Sequence, residues 1–302
     1  MEMNASDAAP HGLVATIRPV VAGFFIAAAN LIPGVSGGTM ALLLGVYEDM
    51  IDAIRAASDS RVIKFLLRFK IKQALDALPW RFLLALAIGA FLAVLALPHF
   101  LEWLFETHPI LVAAFFFGLI AASVLVIVKR IERWSGSAVL GLAIGAVGTY
   151  LLVDLAPAQT PDAPWLLFLS VAVAISAMVL PGISGAYILI LMGQYQHALS
   201  ALTERDFFRI ALVIVGAGVG LVTFSRLLSW LFKKQYNLTL AVLAGMVIGS
   251  LRKLWPWQVT ADALDGIGRQ INVLPPAWTG QVTLALILAV AGFVLVVALD
   301  RE

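Results

Sequence analysis

Six stretches of the chain, residues 82–98, 110–128, 137–153, 208–225, 238–251 and 282–299, are apolar without alternation, and Arg209 is the one charge inside them. A soluble core can hide one such run; it has no room for six. The rest of the composition agrees. Hydrophobic residues make up 62% of the 302 and charged ones 13%, against roughly 25% charged in an average soluble domain. Mean hydropathy is +0.98. These values exclude a cytosolic enzyme, a disordered chain and a disulfide-stapled secreted domain. They predict an all-α polytopic membrane protein. Backbone in lipid must satisfy its own hydrogen bonds, and runs that do not alternate fit helices, not a porin-type barrel.

Cysteine is absent, which removes disulfides, thiolate metal sites and a cysteine nucleophile. The net charge of +2 is the mild basicity of cytoplasmic loops, so no nucleic-acid partner is expected. Residues 1–20 lack a lysine-led n-region with a cleavage site, and no removable signal peptide is expected. No metal site and no cofactor is expected either.

Two further apolar runs are interrupted. One carries Asn30-Leu-Ile-Pro-Gly-Val-Ser-Gly-Gly-Thr39, the other Met178-Val-Leu-Pro-Gly-Ile-Ser-Gly-Ala-Tyr187. Proline and clustered glycines break a helix. The apolar arm after each break, 39–47 and 187–195, would reach only ~14 Å, about half of the ~30 Å hydrocarbon core. Each break therefore reads as a re-entrant hairpin or broken helix, with a kinked ordinary span as the alternative.

The breaks belong to an internal repeat. Setting Pro33 on Pro181 also aligns Gly45 with Gly193 and Tyr47 with Tyr195. A second block sets Gly89 on Gly216, Trp103 on Trp230, Gly118 on Gly245 and Ser123 on Ser250. A weaker third sets Gly136 on Gly280 and Gly148 on Gly292. The chain divides into a first repeat, 1–156, with a basic cytoplasmic insertion at 55–80, and a second, 157–302. Each is one re-entrant hairpin plus three spans within a single integral membrane domain. Three crossings per half invert the second half. With an inside N-terminus, only Arg205, Arg209, Arg252, Lys253 and Arg269 of the 20 Lys and Arg lie outside. A parallel arrangement gives the same total. The matched loops separate the two: 99–108 carries Glu102 and Glu106 with no Lys or Arg, and its counterpart, 226–235, carries Arg226, Lys233 and Lys234 with no acid. Opposite charge at equivalent positions favours two inverted-topology repeats.

Half-helix N-termini that meet near the midplane bind anions in inverted-repeat transporters. Glycine admits close backbone approach. Ser36, Thr39, Ser184 and Tyr187 add hydroxyl donors. Two such loops would cradle a phosphate or carboxylate, although small residues also serve tight helix crossing. That packing role is assigned to Gly89, Gly118, Gly145, Gly148, Gly216, Gly218, Gly220 and Gly245. Glu48, at the end of the first short arm, is the candidate proton-coupling residue, with a solvated interfacial acid as the plainer reading.

At both loops the sequence resembles the bacterial polyprenyl-phosphate transporters. The likeness rests on residues 30–40 with Leu44-Gly-Val-Tyr-Glu48, and on 180–185 with Leu191-Met-Gly-Gln-Tyr195. It implies a multi-pass protein of the bacterial cytoplasmic membrane, N-terminus inside, that returns undecaprenyl phosphate to the cytoplasmic leaflet for cell-envelope synthesis. By that resemblance the substrate-binding residues are Asn30, Pro33, Gly34, Ser36, Gly37, Gly38, Thr39, Pro181, Gly182, Ser184 and Gly185, with no catalytic residue. The alternatives are an integral-membrane polyprenyl-pyrophosphate phosphatase and a small-anion transporter. The loops hold no arginine, histidine or carboxylate, which phosphoryl transfer would need.

Overall fold

The computed structural model describes residues 13–32, 35–155, 157–261 and 269–300. Pro33 and Gly34 of the first cluster, and residues 1–12, lie outside the described residues. The first half contains α1 (Leu13–Leu31), α2 (Gly37–Leu43), α3 (Tyr47–Ala57), α4 (Ser60–Leu67), α5 (Ile71–Asp76), α6 (Trp80–Ala96), α7 (Pro98–Thr107), α8 (Pro109–Lys129) and α9 (Gly136–Leu152). The second contains α10 (Pro164–Val179), α11 (Gly185–Leu191), α12 (Tyr195–Thr203), α13 (Phe207–Lys234) and α14 (Tyr236–Ser250), which runs on as a 3-10 turn, Leu251–Leu254. An antiparallel pair, β1 (Gln258–Ala261) and β2 (Arg269–Asn272), and α15 (Gly280–Leu299) complete it.

Both interrupted runs fold back on themselves. At the end of α2, Gly45 takes φ +68°, and Val46 N–H bonds back to the Ala41 carbonyl. At the end of α11, Gly193 takes φ +66°, and Gln194 N–H bonds to Leu189. The two turns occupy matched positions, and each needs a glycine because a side chain is strained in that left-handed region. The end of α2 returns to the start of α1, where Arg18 donates to the Leu44 and Gly45 carbonyls at 3.2 and 3.5 Å. The end of α11 returns to the segment preceding α10, where Ala158 N–H meets the Leu191 carbonyl and Gln194 reaches Pro161.

Among the described residues, four helices are long and apolar enough to cross a bilayer: α8, α13, α14 with its 3-10 extension, and α15. The pair α6 and α7, bent by 51°, makes a fifth if the two are one broken span. Two sequence expectations shift. The span expected to end at Ser225 continues unbroken to Lys234, so α13 has 28 residues. Its repeat partner is split because Pro98 lacks an N–H and takes the first position of α7. The 137–153 run forms a helix of 17 residues, rising only ~26 Å.

The centre is a row of four helices. Glu132 N–H bonds to Asn237 Oδ1 at 3.1 Å, joining the end of α8 to the start of α14, so these two run in opposite directions. Lys129 meets Asp300 at 2.8 Å, pairing the ends of α8 and α15. Arg252 meets Asp154 at 2.9 Å, pairing the ends of α14 and α9. Each central helix thus lies against the last helix of the other half. Small residues let the backbones touch, as expected where lipid gives no hydrophobic drive between helices. A Cβ on Gly118 would strike the Ala289 carbonyl, and one on Gly245 the Leu142 carbonyl. Gly145 sits against Val242, and Gly292 against Phe115. These contacts match Gly145, not Gly148, with Gly292, three residues from the register read in the sequence. Gly148 and Gly218 have open space around them. Towards the periphery, Gly89 of α6 abuts the Val20 carbonyl of α1, and Gly216 of α13 abuts Phe168 of α10; both members of this pair obey the repeat registers.

Candidate functional site

The hairpin tips meet each other. Ser36 caps α2, its Oγ accepting Gly38 N–H at 3.2 Å and donating to the Leu180 carbonyl of the second tip at 3.2 Å. Gly182 N–H, on a residue with φ +82°, bonds to Thr39 Oγ1 at 3.0 Å. Asn30, at the end of α1, closes the first tip by accepting Gly37 N–H at 2.9 Å. The sequence folds locally this way because a Ser side chain at an N-cap completes the helix start, and Pro-Gly before it prevents an uninterrupted helix.

Burial is uneven. Ser36, Gly37, Gly38 and Thr39 are buried, as are Pro181 and Gly185, whereas Asn30 is exposed and Gly182 and Ser184 half-buried. Space is tight at every described glycine of the tips, including Gly185, where a Cβ would lie 2.9 Å from the Ala174 carbonyl. A Cβ at Gly38 would come within 2.7 Å of the Val179 carbonyl, and one at Gly182 within 2.8 Å of Ser250 Oγ. Ser184 precedes α11 yet makes no side-chain bond to its first turn. Tyr187 does not point its hydroxyl at the other tip; it donates to the Leu152 and Leu155 carbonyls at 3.3 and 3.4 Å.

A small pocket lies between the tips, walled by Val35, Ser36, Gly182, Ser184, Tyr187 and Lys253. Its donors are hydroxyls and one ammonium, the set that a phosphate or carboxylate would use. The Gly37, Gly38 and Gly182 amides are already bonded to protein acceptors, so an anion entering here exchanges partners with them.

Two residues of this region escape motif reasoning. Tyr47, 1% exposed, donates to the Val179 carbonyl at 3.0 Å and ties the second tip to α3; its place in the repeat, opposite Tyr195, was the available signal. Lys253 follows an apolar span and reads as an interfacial charge; its repeat partner is Val126, an asymmetry visible in the alignment. Glu48 lies apart from the tips, exposed in the first turn of α3 beside the Tyr236 hydroxyl, with Arg130 and Glu132 close by.

The chain matches the family described as undecaprenyl phosphate translocase-like over residues 26–271. It is 34% identical over 291 residues to a polyprenyl-phosphate transporter of Vibrio cholerae serotype O1, covering 92% of this chain and 94% of that one. It is 28% identical over 256 residues to a polyprenyl-phosphate transporter of Staphylococcus aureus, covering 78% and 85%. No solved structure gives a significant match.

Proposed function

Because the chain belongs to the undecaprenyl phosphate translocase-like family, we propose that it transports polyprenyl phosphate across the bacterial cytoplasmic membrane, returning undecaprenyl phosphate to the cytoplasmic leaflet. The observation that carries this reading is the contact of the two Pro-Gly-x-Ser-Gly tips through Ser36, Thr39, Leu180 and Gly182. The phosphate enters between them and takes over as acceptor for Gly38 and Gly182 N–H, with Ser36, Thr39 and Ser184 hydroxyls turned towards it. Pro181 shapes the second loop, Asn30, Gly37 and Gly185 hold the starts of the short helices, and Tyr187 lines the pocket. The prenyl tail stays in lipid.

In this reading both hairpins are re-entrant, and the two halves, 1–156 and 157–302, are inverted repeats. The opposed directions of α8 and α14, equivalent helices in the alignment, support it. So does the basic 55–80 insertion, where exposed Arg61, Lys64, Arg68, Lys70 and Lys72 surround Phe69, which is 89% exposed. Such a surface suits anionic headgroups on the cytoplasmic side, where the N-terminus also lies. Import of an anion against an inside-negative potential costs ~2.3 kcal/mol per charge per 100 mV, and Glu48 carries a compensating proton when the hairpin moves.

Proteoliposomes loaded with labelled undecaprenyl phosphate test the whole reading. Leaflet-resolved detection should show protein-dependent movement of the lipid. Transport of inorganic phosphate alone, or release of phosphate from polyprenyl pyrophosphate without lipid movement, would replace it with a small-anion carrier or a phosphatase.

A further inference from the structure

At the mouth of the pocket, Lys253 has no acid. Its Nζ lies 3.7 Å from the centroid of the Tyr187 ring. The neighbouring cation is engaged: Arg252 bonds to Asp154 at 2.9 Å and stacks over Tyr150 at 4.5 Å. Among the described residues, no carboxylate comes within ion-pair distance of Lys253. The Tyr187 ring beneath it is fixed, because the Tyr187 hydroxyl is held by the Leu152 and Leu155 carbonyls. A cation–π contact holds an ammonium more weakly than a charge-assisted bond to phosphate, so the ring parks Lys253 without competing for it.

The surroundings point the same way. Lys253 shares its pocket with Ser36, Gly182 and Ser184, whose hydroxyl makes no capping bond to α11. Its repeat partner, Val126, is 2% exposed inside α8, so the other half has no matching cation. The end of α14 also carries the β1–β2 pair, through Asn272 Nδ2 bonding to the Arg252 carbonyl at 2.9 Å. This is the face read above as outer.

We infer that Lys253 captures the phosphate of the carrier lipid at the outer mouth, leaving the Tyr187 ring to pair with it and supplying a full positive charge to a cradle otherwise built from amides and hydroxyls. The inference rests on the lipid-phosphate reading of the site and adds an entry side to it.

Binding of farnesyl phosphate, a short soluble prenyl phosphate, to the detergent-solubilised full chain tests it. Lys253→Met should weaken binding about ten-fold or more, the scale of one hydrogen bond to a charged group, and should flatten its dependence on salt. Lys253→Arg keeps the charge and should stay within about three-fold of wild type. In proteoliposomes the Met variant should raise half-saturation for lipid presented at the outer face more than for lipid presented at the inner face. If Lys253→Met binds farnesyl phosphate like wild type with the same salt dependence, the inference is overturned, while lipid movement by the wild type leaves the transporter reading standing. Displacement of the probe by inorganic phosphate at equal concentration, still lost in Lys253→Met, supports the lysine's role and overturns the lipid reading.

Discussion

Thr39 Oγ1 accepts the Gly182 backbone N–H at 3.0 Å, joining two hairpin tips 143 residues apart in sequence. Thr39 is 1% exposed and Gly182 half-buried, so the bond is partly shielded from solvent. Thr39→Val keeps the shape and leaves the Gly182 N–H without its acceptor, at a cost of about 1 kcal/mol. The thermal midpoint in detergent should fall for Thr39→Val and recover in Thr39→Ser. An unchanged midpoint in the valine variant would mean that the tips part without loss.

Helix crossings should sort the glycines by their neighbours. Gly89→Ala drives a methyl into the Val20 carbonyl and should cost about 1–3 kcal/mol or more as α1 and α6 separate. Gly148→Ala meets open space and should gain up to about 1 kcal/mol through helix propensity. Unfolding midpoints of the two variants, measured side by side, decide this.

Those glycines also mark what the sequence could and could not convey. The clusters at 30–39 and 178–187 were legible because Pro, Gly and Ser act on local backbone, and the repeat registers of Gly45 with Gly193 and Gly89 with Gly216 reappear as matched contacts. The third register was not legible. Gly145 and Gly148 are three apart on one helix face, and only the carbonyl opposite distinguishes them. Nor could sequence show that Ser36 and Thr39 spend their oxygens on the opposing tip, since that depends on two distant segments meeting. Lys253 was passed over for a related reason: a charge that ends a span reads as an interface anchor until the Tyr187 ring is found beneath it.

Coupling is tested by charge removal at α3. Glu48→Gln should abolish the response of uptake to a pH gradient while sparing binding of farnesyl phosphate. Tyr236, Arg130 and Glu132 face the same corner and are left intact. Asp59→Asn serves as the control. The side-chain and backbone bonds of Arg61 hold the Asp59 carboxyl down at about 2. The contribution of that pair is present above the ordinary Asp range near 4 and is lost only as pH falls through about 2. Between pH 5 and 8 the asparagine variant should therefore follow the wild-type profile.

Sidedness is accessible because the chain has no native cysteine. Arg68→Cys and Gln159→Cys place single thiols at exposed positions in the insertion and in the 157–161 segment. An impermeant maleimide applied to whole cells should label position 159 and spare 68. The reverse pattern sinks the inverted arrangement.

The bend at Leu97-Pro98 sets a limit on symmetry. A carrier with two identical inverted halves would have inward-open and outward-open forms related by a two-fold rotation and equal in energy. Here α13 runs unbroken for 28 residues, while its counterpart turns through 51° at a proline that has no amide hydrogen to give back. In the inverted arrangement proposed above, the halves can exchange roles but not shapes, so the two open forms would differ in free energy even with no lipid aboard. The resting population is then tilted towards one side of the membrane by covalent structure alone, and a driving gradient acts on a balance already set off centre.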